Sequence, residues 1–166
     1  MAYQGEYVEQ RYGADVAHHA PPVRAVLRSG VPLGLGTGAT IQGSDNLWSV
    51  LHWFTTGTTA GGTTLTTPEN RLSRVEALRQ LTVGSAAMSG QADRKGMLKA
   101  GYLADLAVLT DDYFTVPDAA IPDIKSVLTL VGGRPVFAAE EHRQLDPAIP
   151  AVVPAYSPIR TGTDRS

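Results

Sequence analysis

The stretch GLGTGATIQGSDNLW, residues 34–48, sets Gly34, Gly36 and Ala39 at the G-x-G-x-x-A spacing of a dinucleotide-binding turn. In such a turn glycines let the backbone approach a pyrophosphate, and the next helix N-terminus binds it. The context here does not fit. TIQGSDN puts another glycine and a turn before any helix, and residues 47–68 hold no Asp or Glu for ribose hydroxyls. Other chemistries find little support. With no cysteine, thiolate nucleophiles, disulfides and Cys-ligated zinc are excluded. His18 and His19 are adjacent, so their side chains diverge, and we expect them on the surface rather than on one metal. His52 is expected to be structural, and His142 to sit in a charged turn. Ser44, Ser85 and Ser89 lack a G-x-S-x-G setting. Glu6 and Glu9 are expected on a solvated helix face, not as an acid–base pair. Asp45 is expected to cap the helix beginning at Leu47; Asn46 shares that cap or lines a pocket. Trp48 and Trp53 suit helix packing better than a substrate platform.

These residues must be held by regular elements. GEYVEQRYG, residues 5–13, predicts a short helix ended by Gly13. In APPVRAVLRSG, Pro21 or Pro22 suits a first turn, Val23, Val26 and Leu27 share a face, and Gly30 closes the helix. VPLGLGT, residues 31–37, predicts a strand. NLWSVLHWFTTG predicts a helix opened by Ser44, Asp45 or Asn46, with Leu47, Val50, Leu51 and Phe54 at helical spacing. The Thr- and Gly-rich run after it predicts a loop. Ser73 and Glu76 form the S-x-x-E capping box of a further helix, with Val75, Leu78, Leu81 and Thr82 on one side. Beyond Gly90 the period becomes extended. KGMLKAGYLADLAVLT holds strand-like runs, with Asp105 bonding nearby backbone at a strand start, and KSVLTLVGGRPVFA predicts a hairpin about Gly132-Gly133. The Pro-rich tail from Asp146 shows no core face.

The 166 residues suit one domain or slightly more, and the formal net charge is −2. No basic stripe suggests nucleic acid, and no cationic amphipathic stretch suggests a membrane surface. The start has no basic segment followed by an apolar one, so no signal peptide is expected and the cytoplasm is the default location.

GEYVEQRYGA, PPVRAVLRSGVPLGLGTGAT, NLWSVLHWFTTG, RLSRVEALRQLT, KGMLKAGYLADLAVL, DYFTVP, LTLVGGRPVF and YSPIR occur in an order that resembles the C-terminal part of metal-dependent amidohydrolases. The nearest branch is that of large hydrolases of C–N bonds. The most specific piece is Lys95-Gly96, then Gly101 and ADLAVL at 104–109. The resemblance implies an α/β chain: a C-terminal segment of a (β/α)₈ barrel plus part of a small β-sandwich domain. Residues 1–92 would belong to the barrel, with 31–37 as its eighth strand. Residues 93–145 would be strands of the β-domain, and 146–166 an extended tail.

By the same resemblance the chemistry is metal-assisted hydrolysis, in which a zinc-like divalent ion lowers the pKa of its water and polarises a carbonyl. The family draws its ligands from a His-x-His on the first strand, a Lys or Glu on the fourth, and histidines on the fifth and sixth. All precede the segment matched here, and this chain has no His-x-His. The family's Gly-Thr-Asp after strand eight carries the proton-shuttling carboxylate. Here it is Gly36-Thr37-Gly38, so Gly38 stands in the aspartate position. The expectation is a C–N-bond hydrolase by descent, inactive as this chain alone and binding no metal by itself, with Met1 placed inside the barrel by truncation, a split gene or divergence. Thr37, Asn46 and Trp48 are its candidate substrate contacts. The alternative is a non-catalytic binding or assembly module, self-associating or completed by a partner chain. A small-molecule substrate is expected only on completion.

Overall fold

The structure, a computed structural model, describes residues 1–38 and 46–148. Helices dominate the first half: α1 (Gly5–Tyr12), α2 (Ala14–His19), α3 (Val23–Arg28), α4 (Leu47–Thr56), α5 (Arg74–Arg79) and α6 (Ser85–Met88). A three-stranded antiparallel sheet follows, β1 (Leu106–Leu109), β2 (Ser126–Val131) and β3 (Arg134–Ala138), in the order β1-β2-β3. This is a mixed helix-and-sheet chain, consistent with the α/β class.

Central to the core is α4. Asn46 caps it, its side-chain oxygen accepting the Trp48 N–H at 2.9 Å. Gly57 ends it in the left-handed region at φ 76, where a Cβ would lie 2.7 Å from the Thr66 carbonyl oxygen, so only glycine fits. Leu51 and Ile121 are fully buried, and Val23, Leu35, Trp48, Leu72, Ala77, Tyr113 and Ile124 close around them. Residues from both sides of position 92 therefore share one core.

The predicted helices over 5–13 and 21–30 form, as does the hairpin. Gly132 and Gly133 take φ 57 and 76, and Leu128 opposes Ala138. Asp105 bonds backbone as expected, but at a distance: its Oδ1 accepts the Gly132 N–H at 2.8 Å, tying β1 to the hairpin turn. The Ser73–Glu76 capping box is present in full.

Four expectations need correction. Residues 31–37 form no strand among the described residues; a strand needs a strand partner, and this segment bonds to a helix instead. Residues 95–105 are turns, because Gly96 and Gly101 both take φ 88 and Tyr102 N–H folds back to Lys99 O. Val75, set on the apolar side of α5, is 62% exposed, whereas Leu78 and Leu81 pack against the core beside buried Ala77, so the buried face runs through Ala77, Leu78 and Leu81. Glu6 is not merely solvated: its carboxylate accepts a hydrogen bond from Thr59 Oγ1, which, with the Glu6 N–H, lowers its pKa. Ser44 and Asp45, and the tail beyond residue 148, lie outside the described residues.

Candidate functional site

The site begins with how residues 31–38 are seated. The Gln80 carbonyl, which accepts the Ser85 N–H closing the π turn, also accepts the Leu35 N–H at 3.1 Å. Ser85 Oγ donates to the Leu35 carbonyl at 2.8 Å. Two glycines allow the approach. A Cβ on Gly84 would collide with the Leu33 carbonyl oxygen, and one on Gly34 would stand 3.0 Å from Ser85 Cα. Extended chain therefore lies directly across the helix, and residues 36–38 project beyond it.

Those three residues form one wall of a cavity of about 610 Å³, within the range of small-molecule sites. Val50, Trp53 and Phe54 of α4 form the facing wall, with Tyr3 and Pro21 at its side. Gly38 has φ 66, and a Cβ there would meet nothing within 4 Å. Trp53 is 3% exposed and meets Phe54 edge-on at 4.7 Å. Its Nε1–H is buried and meets no acceptor among the described residues.

Of the candidate contacts, Thr37 lines this cavity, while Asn46 and Trp48 do not. The Asn46 amide is spent on the α4 cap and on the Pro122 carbonyl at 2.7 Å. The Trp48 ring lies in the core against Tyr113, centroids 5.5 Å apart. Trp53, which the sequence assigns to packing, is the tryptophan of the cavity wall. Its signal was the two-sidedness of α4: Val50 and Trp53 share one flank, and Ser49, His52 and Thr56 share the other.

That second flank borders a shallower cavity of about 540 Å³, closed by Thr58, Gly62, Asp118 and Pro122. Burial lowers the His52 pKa, and the Asp118 charge only partly opposes this. Asp118 itself is held by Arg74 at 2.6 Å. His52 Nε2 stands a long 3.5 Å from Thr56 Oγ1. The remaining histidines form two-member pairs: His18 with Glu9 at 3.7 Å, His19 with Asp15 at 3.4 Å, and His142 with Glu141 at 3.6 Å. Among the described residues no three His, Asp or Glu side chains meet in a set that could hold a metal ion.

A family model described as "Amidohydrolase family" matches residues 1–137, more than half of the chain. The chain belongs to the amidohydrolase family. No curated protein and no solved structure matches it. Amidohydrolases generally use a divalent metal; among the described residues no three His, Asp or Glu side chains come together to hold one, and Asp118, whose charge acts on His52, is paired with Arg74. No helix among the described residues is long and apolar enough to cross a membrane.

Proposed function

We propose that this chain is the closing portion of a metal-dependent hydrolase of amide- or imide-type, non-peptide C–N bonds. In this reading residues 1–92 end a (β/α)₈ barrel, 93–145 supply strands of a small β-domain, and 146–166 form an extended tail. The chain does not hydrolyse by itself, because the metal-holding strands must come from elsewhere. The observation that carries the reading is positional. Within the family match, Gly36-Thr37-Gly38 occupies the rim of an open cavity, where the resemblance puts Gly-Thr-Asp. The lack of a three-ligand set among the described residues supports the need for completion.

A partner chain carrying the earlier barrel strands is the favoured means of completion; a second copy of this chain would pair with it without bringing metal ligands. Residues 31–38 have no strand partner among the described residues, and Val31 at their start is exposed. Such an edge invites strand pairing. The competing role, a non-catalytic assembly module, draws on the same edge.

The test is reconstitution. The chain should be co-expressed with a segment carrying the earlier barrel strands, including a His-x-His. Metal content, complex mass and hydrolysis of simple amides are then measured. The expected result is an inert chain alone and a metal-containing complex, in which Gly38→Asp raises hydrolysis by about a hundredfold, the low end of general acid–base contributions. A chain that alone binds stoichiometric zinc and hydrolyses amides, losing both to a chelator, would refute it. A complex that forms but holds no metal would favour the assembly role.

A further inference from the structure

The other flank of α4 carries a cavity of its own. There Ser49, His52 and Thr56 line a space of about 540 Å³, together with the loop after the helix and the short helical turn Asp118–Asp123. Ala60, Ala119 and Pro122 give it apolar surface. Among the described residues its lining holds one acid, Asp118, and no Lys or Arg. A mostly apolar hollow of this size with a few convergent polar groups has the make-up of a small-molecule site.

Most of its hydroxyls are already engaged. Thr56 Oγ1 donates to the His52 carbonyl at 2.8 Å and accepts the Thr58 N–H at 3.1 Å. Thr58 Oγ1 pairs with Thr64 Oγ1 at 2.9 Å, and Thr59 Oγ1 donates to Glu6. Three groups remain. Ser49 Oγ has no partner among the described residues. Asp118 is held through Oδ1 by Arg74 at 2.6 Å, which leaves Oδ2. The third is the His52 imidazole. With its own proton given to the His52 carbonyl, Thr56 Oγ1 can only accept from Nε2, 3.5 Å away. Nε2 therefore carries the ring proton, and the other ring nitrogen keeps a bare lone pair.

The charge of a ligand follows from His52 itself. An imidazolium here would be a cation near Asp118, yet burial outweighs that attraction and favours the neutral ring. The same burial penalises any other cation, and an anion would meet the Asp118 carboxylate as well. All three remaining groups can accept a hydrogen bond, and only Ser49 can donate one. We propose that this cavity binds an uncharged, ring-sized apolar molecule carrying one hydroxyl, such as a phenol, whose O–H donates to the His52 imidazole. The site lies apart from residues 36–38, and binding there requires neither metal nor partner chain. It therefore stands or falls independently of the hydrolase reading.

The full chain is titrated at neutral pH with phenol, anisole, benzoate and benzylammonium, following the imidazole resonances of its four histidines by NMR. His52→Phe identifies the His52 signal and removes the acceptor while keeping a flat ring. If that variant does not fold, His52→Gln identifies the signal and the wild-type comparison of phenol with anisole decides. Ala119→Leu, at an exposed lining position, narrows the cavity without removing a polar group. Phenol should bind saturably and shift the His52 ring. Anisole, which lacks the donor, should bind about three- to tenfold more weakly, as for one neutral hydrogen bond, and the two charged probes more weakly still. His52→Phe should bring phenol and anisole to equal affinity, and Ala119→Leu should weaken both. No saturable phenol binding, anisole or either charged probe binding as tightly as phenol, or phenol binding untouched by Ala119→Leu would each overturn the proposal.

Discussion

Glu76 holds together the frame on which the cavity wall rests. Its carboxylate receives Arg24 Nη1 and Nη2 at 2.5 and 2.8 Å, and Ser73 N–H and Oγ at 2.8 and 2.7 Å. Arg24 also donates from Nε to the Arg71 carbonyl at 2.8 Å, so α3, α5 and the turn between α4 and α5 meet at this point. The Arg24 hydrogen bond, helped by Ser73 and opposed by burial, pulls the Glu76 pKa from 4.5 to about 2. A carboxyl with a depressed folded-state pKa adds stability that is present above its unfolded value and disappears as pH falls through the folded one. The loss should therefore run from 4.5 down to about 2. Glu76 is 39% exposed, so water screens the pair. A half-exposed bidentate pair falls between a charged hydrogen bond and a surface ion pair, at about 1–2 kcal/mol.

Two substitutions separate the contributions. Glu76→Gln keeps a side chain that serves a capping box but removes the charge, and should cost about 1–2 kcal/mol at neutral pH. Glu76→Ala also removes the box and should cost about 2–3 kcal/mol. Urea denaturation at neutral pH and again near the bottom of the titration range measures both. The gap between wild type and Glu76→Gln should shrink toward zero at the acid end. A Glu76→Gln midpoint equal to wild type at neutral pH, or a gap independent of pH, would refute the reasoning. A double-mutant cycle with Arg24→Ala should return a coupling of about 1–2 kcal/mol.

Three further outcomes are expected. Gly84→Ala drives a Cβ into the Leu33 carbonyl oxygen, a backbone atom that cannot swing aside, so urea denaturation should show the fold destabilised by about 1–3 kcal/mol, and an unchanged midpoint would contradict it. Tyr113 is 2% exposed, its hydroxyl has no partner among the described residues, and burial pushes its pKa up to about 12. Tyr113→Phe keeps the ring against Trp48 and should leave thermal stability unchanged or raise it by up to about 1 kcal/mol, so a clear loss would expose a partner for that hydroxyl. Burial holds the His52 pKa below 6.5, so the unfolded chain takes up its proton first and stability falls as pH drops below that value; His52→Gln should flatten this step in midpoint-against-pH curves, and identical curves would contradict it.

The parts legible in the sequence are those fixed by local rules. Ser73 and Glu76 sit three apart because a capping box closes over one turn, and Gly132-Gly133 marks its hairpin because both positions need positive φ. Asn46 as a cap follows from residue type alone, although Asp45 was the favoured neighbour. What stayed hidden depends on distant chain. Nothing local in VPLGLGT says that it will lie on a helix, because its hydrogen bonds go to Gln80 and Ser85, about fifty residues on. Nothing in SRVEALRQLTVGS announces a π turn, and apolar spacing groups Val75 with Leu78 and Leu81, although the small Ala77 completes their buried face. Glu6 looked like a solvated acid because Thr59, its partner, lies in a loop with no periodic pattern.

The two tryptophans show the same limit at the site. Five residues apart on one helix, they differ by more than a full turn, so no single face holds both. Apolar periodicity treats them alike, and only the neighbours separate them. Tyr113, arriving from well beyond residue 92, closes over Trp48 and makes it core. Residues 36–38, steered by the Gly34–Gly84 contact, stop short of Trp53 and leave a cavity between. Gly38 stands on the same rim with open space where a side chain would be. The position that lacks a carboxylate and the tryptophan that packing alone would bury thus line one cavity, so substitutions at Gly38 and at Trp53 probe the same surface from two sides.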